Sequence, residues 1–167
     1  LSPAAVAARE ARPGTQLAVA VVRAACAVGR LDHARAVAEQ LGADAVSDTA
    51  DAWAIIGLAS EGAEREAALA RAAEAGNRRP WIQDGGDETF AHAVALGRFA
   101  RGGLAADHPA VACVVRSLLE LGRVRAHKDA RSHGVVEAAK HAAERARRSD
   151  DAAWRAIAER LRDRAHT

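Results

Sequence analysis

Histidine is the commonest transition-metal ligand among side chains, so the seven histidines are the first residues to examine for chemistry. The most closely spaced are His127, His133 and His141, which are six and eight positions apart. Two ligands on one helical face require an i, i+4 spacing, and no pair of histidines has it. The pattern therefore predicts surface or partly buried histidines, with no metal site and no cofactor.

Neighbouring carboxylates are a second group with the residue types that general acid–base catalysis uses. They are Asp48 with Asp51, Asp84 with Asp87 and Glu88, and Asp150 with Asp151. Each group lies where a helix is predicted to begin, and a negative charge there offsets the helix dipole by roughly 0.3 to 1 kcal/mol. We interpret them as helix caps. No serine lies in a Gly-x-Ser-x-Gly turn, so we expect no enzyme, and an all-α enzyme is the least supported hypothesis.

The segment from Asn77 to Gly86 has the residue types of an interaction loop. It places Trp81 close to Arg78 and Arg79 and ends in a pair of glycines. Tryptophan and arginine side chains dominate the binding energy of many protein interfaces. We therefore predict that Arg78, Arg79 and Trp81 contact a partner. The alternative is that Trp81 folds back and covers the end of a helix pair.

Composition predicts the fold class. The 167 residues include 46 alanines and four prolines, and alanine has the highest helix propensity, so the chain is expected to be all-α. Its length suits a single domain over residues 1–167. No apolar run is long enough to cross a membrane and no signal peptide opens the chain, which predicts a cytoplasmic protein. The absence of methionine, even at position 1, suggests a fragment of a longer chain.

Glycine, proline and polar clusters divide the sequence into segments with helical periodicity. The predicted helices are Pro3–Arg12, Gln16–Val28, Leu31–Leu41, Thr49–Ser60, Glu64–Ala75, Glu88–Arg101, Pro109–Leu121, Val124–Ser132, Val135–Arg148 and Asp151–Arg164. Glycines such as Gly14 are interpreted as helix stops. Only about two residues, at Gly29 and again at Gly62, separate neighbouring helices, which predicts antiparallel helix pairs.

Apolar side chains along the helices predict where each helix lies. The segment Gln16–Val28 has two apolar stripes, so we expect an inner helix that packs on two sides. The last segment has one stripe, which includes Trp154, and is expected to close the end of a core or to dock on a partner. Trp53 and the two cysteines, Cys26 and Cys113, lie within apolar helical patterns and are predicted to be core residues, the cysteines as free thiols.

A weak internal repeat appears at an offset of about 33 residues. Gly29 is followed five positions later by Ala34, and Gly62 by Ala67. In this pattern residues 15–76 resemble tetratricopeptide-like helical repeats, in the degenerate, alanine-rich form common in high-GC bacteria. The resemblance implies antiparallel helix pairs stacked as a short solenoid with a right-handed superhelical twist. It also implies a scaffolding or regulatory protein, without catalysis, whose groove binds a peptide or another protein's helix.

Charge is distributed unevenly along the chain. Residues 123–167 contain 12 basic and 7 acidic side chains, whereas residues 1–122 contain 12 basic and 15 acidic ones. A basic helical region of this kind suggests an alternative function, a regulator that contacts nucleic acid through phosphates. The acidic residues are interleaved, however, so a solvated face with ion pairs such as Glu137 with Lys140 or Glu144 with Arg148 is the simpler interpretation.

Overall fold

Helices provide all the regular secondary structure in the residues that the computed structural model describes, which are 3–41, 45–77, 87–125 and 127–167. Over these residues the all-α prediction is confirmed. The helices are α1 (Pro3–Ala27), α2 (Leu31–Glu39), α3 (Val46–Ala59), α4 (Gly62–Glu74) with a 3-10 turn at Ala75–Asn77, α5 (Asp87–Arg101), α6 (Pro109–Leu121), α7 (Lys128–Ser149) and α8 (Ala152–Ala165).

Two predicted helix breaks are wrong. Helix α1 continues through Gly14, where a stop was expected, because alanine-rich sequence on both sides favours the helix. Helix α7 continues through Gly134, and Val124 lies outside it. A Cβ atom on Gly134 would lie 2.8 Å from the Cβ of Thr89 in α5. This glycine therefore permits a close contact between two helices instead of ending one.

The helices pack in an orderly succession. Helices α1, α3, α5 and α7 contact one another in chain order, as do α4, α6 and α8. Each helix of the first row also packs against the helix that follows it in the chain. Gly29 and Gly62 lie at the first two of these junctions with φ of +80° and +61°, a left-handed conformation that is readily accessible only to glycine.

Small residues let the first row pack closely. Alanine is the commonest buried residue type, and a Cβ atom on Gly97 of α5 would lie 3.0 Å from the His141 ring of α7. The largest fully buried side chains are Trp154, Phe99, Ile56, Leu69, Leu96, Leu118 and Leu161. The indole of Trp154 donates a hydrogen bond to the Leu104 carbonyl at 3.2 Å, which ties α8 to the α5–α6 connection.

The first and the last helix of the chain differ from each other. In α1, Val19 and Val22 are buried, but Leu17 is 65 % exposed and Val28 is 73 % exposed. The prediction of two packed stripes is therefore wrong for the stripe that contains Leu17 and Val28, although α1 contacts both α2 and α3. In α8 the apolar stripe that contains Trp154 is buried, as predicted.

Candidate functional site

The predicted contact residues Arg78, Arg79 and Trp81 lie in residues 78–86, outside the described ranges. Their role in binding a partner stays a prediction. The last described residue before them is Asn77, and it lines a groove in the described part of the chain.

That groove, here the α3–α4–α6 groove, has a volume of about 730 Å³. Three helices and the 3-10 turn form its walls. It is lined by Val46, Thr49, Trp53, Arg71, Glu74, Ala75, Asn77, Cys113, Arg116, Ser117 and Glu120. The lining mixes apolar and charged side chains, which suits a peptide or a protein segment better than a purely apolar ligand.

Arg71 is the best-anchored charge in the α3–α4–α6 groove. Its guanidinium carbon lies 3.7 Å from the centre of the Trp53 ring, which gives a cation–π contact. The same guanidinium donates two hydrogen bonds to the carboxylate of Glu39 on α2. This donation lowers the pKa of Glu39. Arg71 therefore joins α2, α3 and α4, and its charge is balanced within the fold.

His92 contacts Asn77, which lines the α3–α4–α6 groove. Its ring is fully buried, and Nε2 donates to the Asn77 side-chain oxygen at 3.1 Å, which holds the 3-10 turn. Burial lowers the pKa of His92 to about 4, so the ring is neutral near pH 7. The expectation that the histidines are at most partly buried is wrong for this residue. The nearby Gly76 makes room for the ring, because a Cβ there would lie 2.7 Å from Nε2.

Cys113 is the one thiol among the residues that line the α3–α4–α6 groove. It is half-buried, carries a free thiol and packs against the core. Burial raises its pKa, and Glu74 raises it further, so the thiol stays protonated at neutral pH. Burial also raises the pKa of Cys26. Both cysteines act as partly buried apolar residues, slightly more exposed than predicted.

A second groove lies on the other side of α6, between α6 and α8. One section of about 500 Å³ is lined by Ala106, Ala112, Val115, Arg116, Leu119, Glu120, Arg123, Ile157 and Arg160. An adjoining section of about 340 Å³ shares three of these residues and adds Asp163, Arg164 and Thr167. Together they form the α6–α8 groove. Its floor is apolar and its rim carries arginines from both helices.

Comparison with family models, curated proteins and solved structures finds no match to this chain. The proposed function therefore rests on the geometry of the chain's own residues. Within the described ranges, no group of three or more His, Cys, Asp or Glu side chains could hold a metal ion. Across the same residues, no helix is long and apolar enough to span a bilayer.

The carboxylates that sequence patterns assigned to helix caps have diverse roles. Asp151 does cap α8, since its Oδ1 accepts from two backbone N–H groups at 3.0 and 3.1 Å. Asp51 does not cap a helix, because α3 begins earlier than predicted, and it pairs instead with Arg98 of α5 at 2.6 Å. Glu88 pairs with the buried Arg131 of α7 at 2.5 Å. These two pairs tie α5 to its neighbours.

The basic residues of 123–167 differ in whether they are paired within the fold. Arg131, Lys140 and Arg155 form ion pairs with Glu88, Glu137 and Asp150, which confirms the predicted Glu137–Lys140 pair. The predicted Glu144–Arg148 pair is wrong, because Arg148 donates instead to the Ala100 carbonyl of α5 at 3.2 Å. Arg123, Arg160 and Arg164 have no ion pair or hydrogen-bond acceptor within the described residues. All three line the α6–α8 groove. Charge alone, without the topology, gave no means of separating these groups.

Proposed function

We propose that this chain is a helical-repeat module that binds another protein and has no catalytic activity of its own. In this proposal the helix pairs stack as a short tetratricopeptide-like solenoid with a right-handed superhelical twist. The order of helix contacts supports it, because α1, α3, α5 and α7 form one row and α4, α6 and α8 form a second. Stacked pairs of this kind create extended binding surfaces.

The observation that carries the proposal is the pair of open grooves on the two sides of α6. The α3–α4–α6 groove combines the edge of Trp53 with charged side chains, and the α6–α8 groove combines an apolar floor with arginines. Helix-in-groove docking uses an apolar floor with polar sides. Arg116 and Glu120 line both grooves, so a single partner segment could contact the two at once.

The alternative function is contact with nucleic acid through the basic helices. It is favoured by the unpaired Arg123, Arg160 and Arg164, which phosphates could neutralise. Two carboxylates, Glu120 and Asp163, line the same groove and oppose a polyanion. We therefore propose protein binding first and treat nucleic acid as the outcome that would replace it.

A capture experiment with a matched variant tests the proposed function. The tagged chain is incubated with a high-GC bacterial lysate, with and without nuclease, and retained proteins are identified by mass spectrometry. We expect a retained protein that survives nuclease and is lost with Arg116→Glu, because Arg116 lines both grooves. Arg147→Glu on the exposed surface of α7 makes the same charge change outside the grooves and should retain it. Retention that depends on nucleic acid, or that Arg116→Glu leaves unchanged, would contradict the proposal.

A further inference from the structure

We infer that the α6–α8 groove binds an acidic amphipathic helix of a partner protein. This inference rests on the proposed function and specifies the chemistry of the partner at one surface.

The floor of the α6–α8 groove is lined by apolar side chains, which the apolar face of a helix could contact. Ala112, Val115 and Leu119 follow one another on α6 at spacings of three and four residues, and Ile157 faces them from α8. Two helices that diverge leave a channel into which the side-chain ridge of a third helix fits. Leu119 belongs to both sections of the groove, so the apolar floor continues between them.

The charged side chains along the rim of the α6–α8 groove favour an acidic partner. Arg116 and Arg123 lie on the α6 side, and Arg160 and Arg164 lie on the α8 side. None of these four guanidinium groups has an ion pair or an acceptor in the described part of the chain. Glu120 and Asp163 are the carboxylates among the lining residues, so arginines outnumber them by four to two. Carboxylates on both flanks of a partner's apolar stripe would complement this rim.

The side chain of Arg164 packs against Gly122 at the end of α6. A Cβ on Gly122 would lie 2.6 Å from the Cγ of Arg164, so the arginine stem packs directly over this glycine. The Nε atom of Arg164 is buried and has no acceptor among the described residues. A carboxylate of the partner would accept from the terminal N–H groups of this guanidinium, because the Nε atom is buried.

The test uses two designed helical peptides that share one leucine face. Glutamates flank this face in the first peptide and lysines flank it in the second, and each is labelled for fluorescence anisotropy against the full chain. We expect the glutamate peptide to bind at least about tenfold more tightly than the lysine peptide, with binding that weakens as salt is added. Equal binding of both peptides, or binding of neither, would overturn the inference.

Charge reversal provides the sharper test. Arg123→Glu with Arg160→Glu should weaken the glutamate peptide by about tenfold or more and strengthen the lysine peptide. Arg125→Glu with Arg162→Glu makes the same change in net charge at exposed positions outside the groove and should leave the preference intact. Circular dichroism and thermal unfolding check that both variants fold. An equal loss in both variants would show a nonspecific charge effect and overturn the inference.

The apolar floor is tested separately, because arginines alone also attract nucleic acid. Leu119→Ala should weaken the glutamate peptide by about tenfold through lost apolar burial. A DNA duplex serves as the competing probe. If Leu119→Ala has no effect while the duplex displaces the peptide, the groove is a polyanion surface and the inference fails. If the peptides fail but lysate capture still depends on Arg116, the proposed function stands and this inference alone is wrong.

Discussion

The helix pairs α5–α6 and α7–α8 contact each other between α5 and α7 and between α6 and α8, and these two interfaces differ. Between α5 and α7 the contact is closed, since Gly134 lies against the backbone of α5, Gly97 makes room for the His141 ring, and Glu88 pairs with the buried Arg131. Between α6 and α8 the contact opens into a groove whose arginines have no partner within the described chain. The same two helix pairs thus form one interface suited to stability and another suited to binding.

The role of a charged residue therefore has to be interpreted together with its burial. The side chains of Arg131 and Glu88 are 4 % and 12 % exposed. Each charge therefore needs the other to offset its loss of hydration. Arg160 is exposed and loses little hydration when unpaired. Substitutions at the two interfaces should therefore have opposite consequences, one on folding and the other on binding.

The largest effect is expected from Arg131→Ala. It leaves Glu88 charged and mostly buried without its partner, so the free energy of unfolding should fall by about 3 to 5 kcal/mol. Urea unfolding followed by circular dichroism measures the change. The double variant Arg131→Met with Glu88→Leu should recover most of the loss, because it removes both charges. A loss below about 1 kcal/mol in the single variant would show that the pair is not desolvated as the structure indicates.

A pH dependence of similar size is expected from His92. Its pKa falls from the ordinary 6.5 to about 4 in the folded chain because the ring is buried, so below pH 6.5 the unfolded chain binds a proton that the folded chain does not. The stability is fully present above that pH and falls as the pH drops towards 4, by up to about 3 kcal/mol.

Urea unfolding of the wild type and of His92→Gln across this pH range isolates the contribution of His92. The difference in stability between the two proteins should shrink as the pH falls, because glutamine does not titrate. A difference that stays constant with pH would contradict the burial of His92. His141, whose pKa burial and Arg101 also lower, is present in both proteins and cancels in the comparison.

A smaller loss is expected from Gly134→Ala. The new Cβ would meet the Cβ of Thr89 at 2.8 Å, which requires α5 and α7 to separate and costs about 1 to 3 kcal/mol. The gain in helix propensity of about 1 kcal/mol offsets part of this. Thermal unfolding should therefore show a net loss, whereas Arg147→Ala on the exposed face of α7 should change little. A stabilised Gly134→Ala protein would show that the α5–α7 contact is looser than described.

The smallest effect on stability is expected in the open interface. Arg160→Ala removes an exposed arginine that has no ion pair among the described residues, so the free energy of unfolding should change by less than about 0.5 kcal/mol. The same urea titration measures it. A loss above about 1 kcal/mol would mean that Arg160 helps to hold α6 and α8 together, and the distinction between the two interfaces would then fail.

Local signals in the sequence predict much of the fold. Alanine content predicts helices, and Gly29 and Gly62 correctly mark helix junctions because their positive φ is a local property. The helix break predicted between Ser132 and Val135 is wrong for a physical reason, since Gly134 packs against Thr89, which is distant in the sequence. Asp51 is misassigned likewise, because its partner Arg98 lies on another helix.

The candidate site is less predictable, because each groove combines residues from segments that are far apart. Trp53 and Cys113 meet in one groove, and Arg123 and Arg160 meet in the other. Sequence patterns identify residues 123–167 as basic, but they do not separate paired from unpaired arginines. The i, i+4 spacing of Arg160 and Arg164 on α8 is the one local signal that places two of them on a common face.

An NMR titration of the isotopically labelled chain with the glutamate-flanked peptide shows whether the α6–α8 groove is the surface that binds. We predict that the backbone amide signals of α6 and α8, centred on Leu119 and Arg160, shift in a saturable way. Signals of the closed α5–α7 contact, around Gly97 and Gly134, should stay in place. Shifts centred on that contact, or no saturable shift on α6 and α8, would contradict the assignment of binding to the open interface.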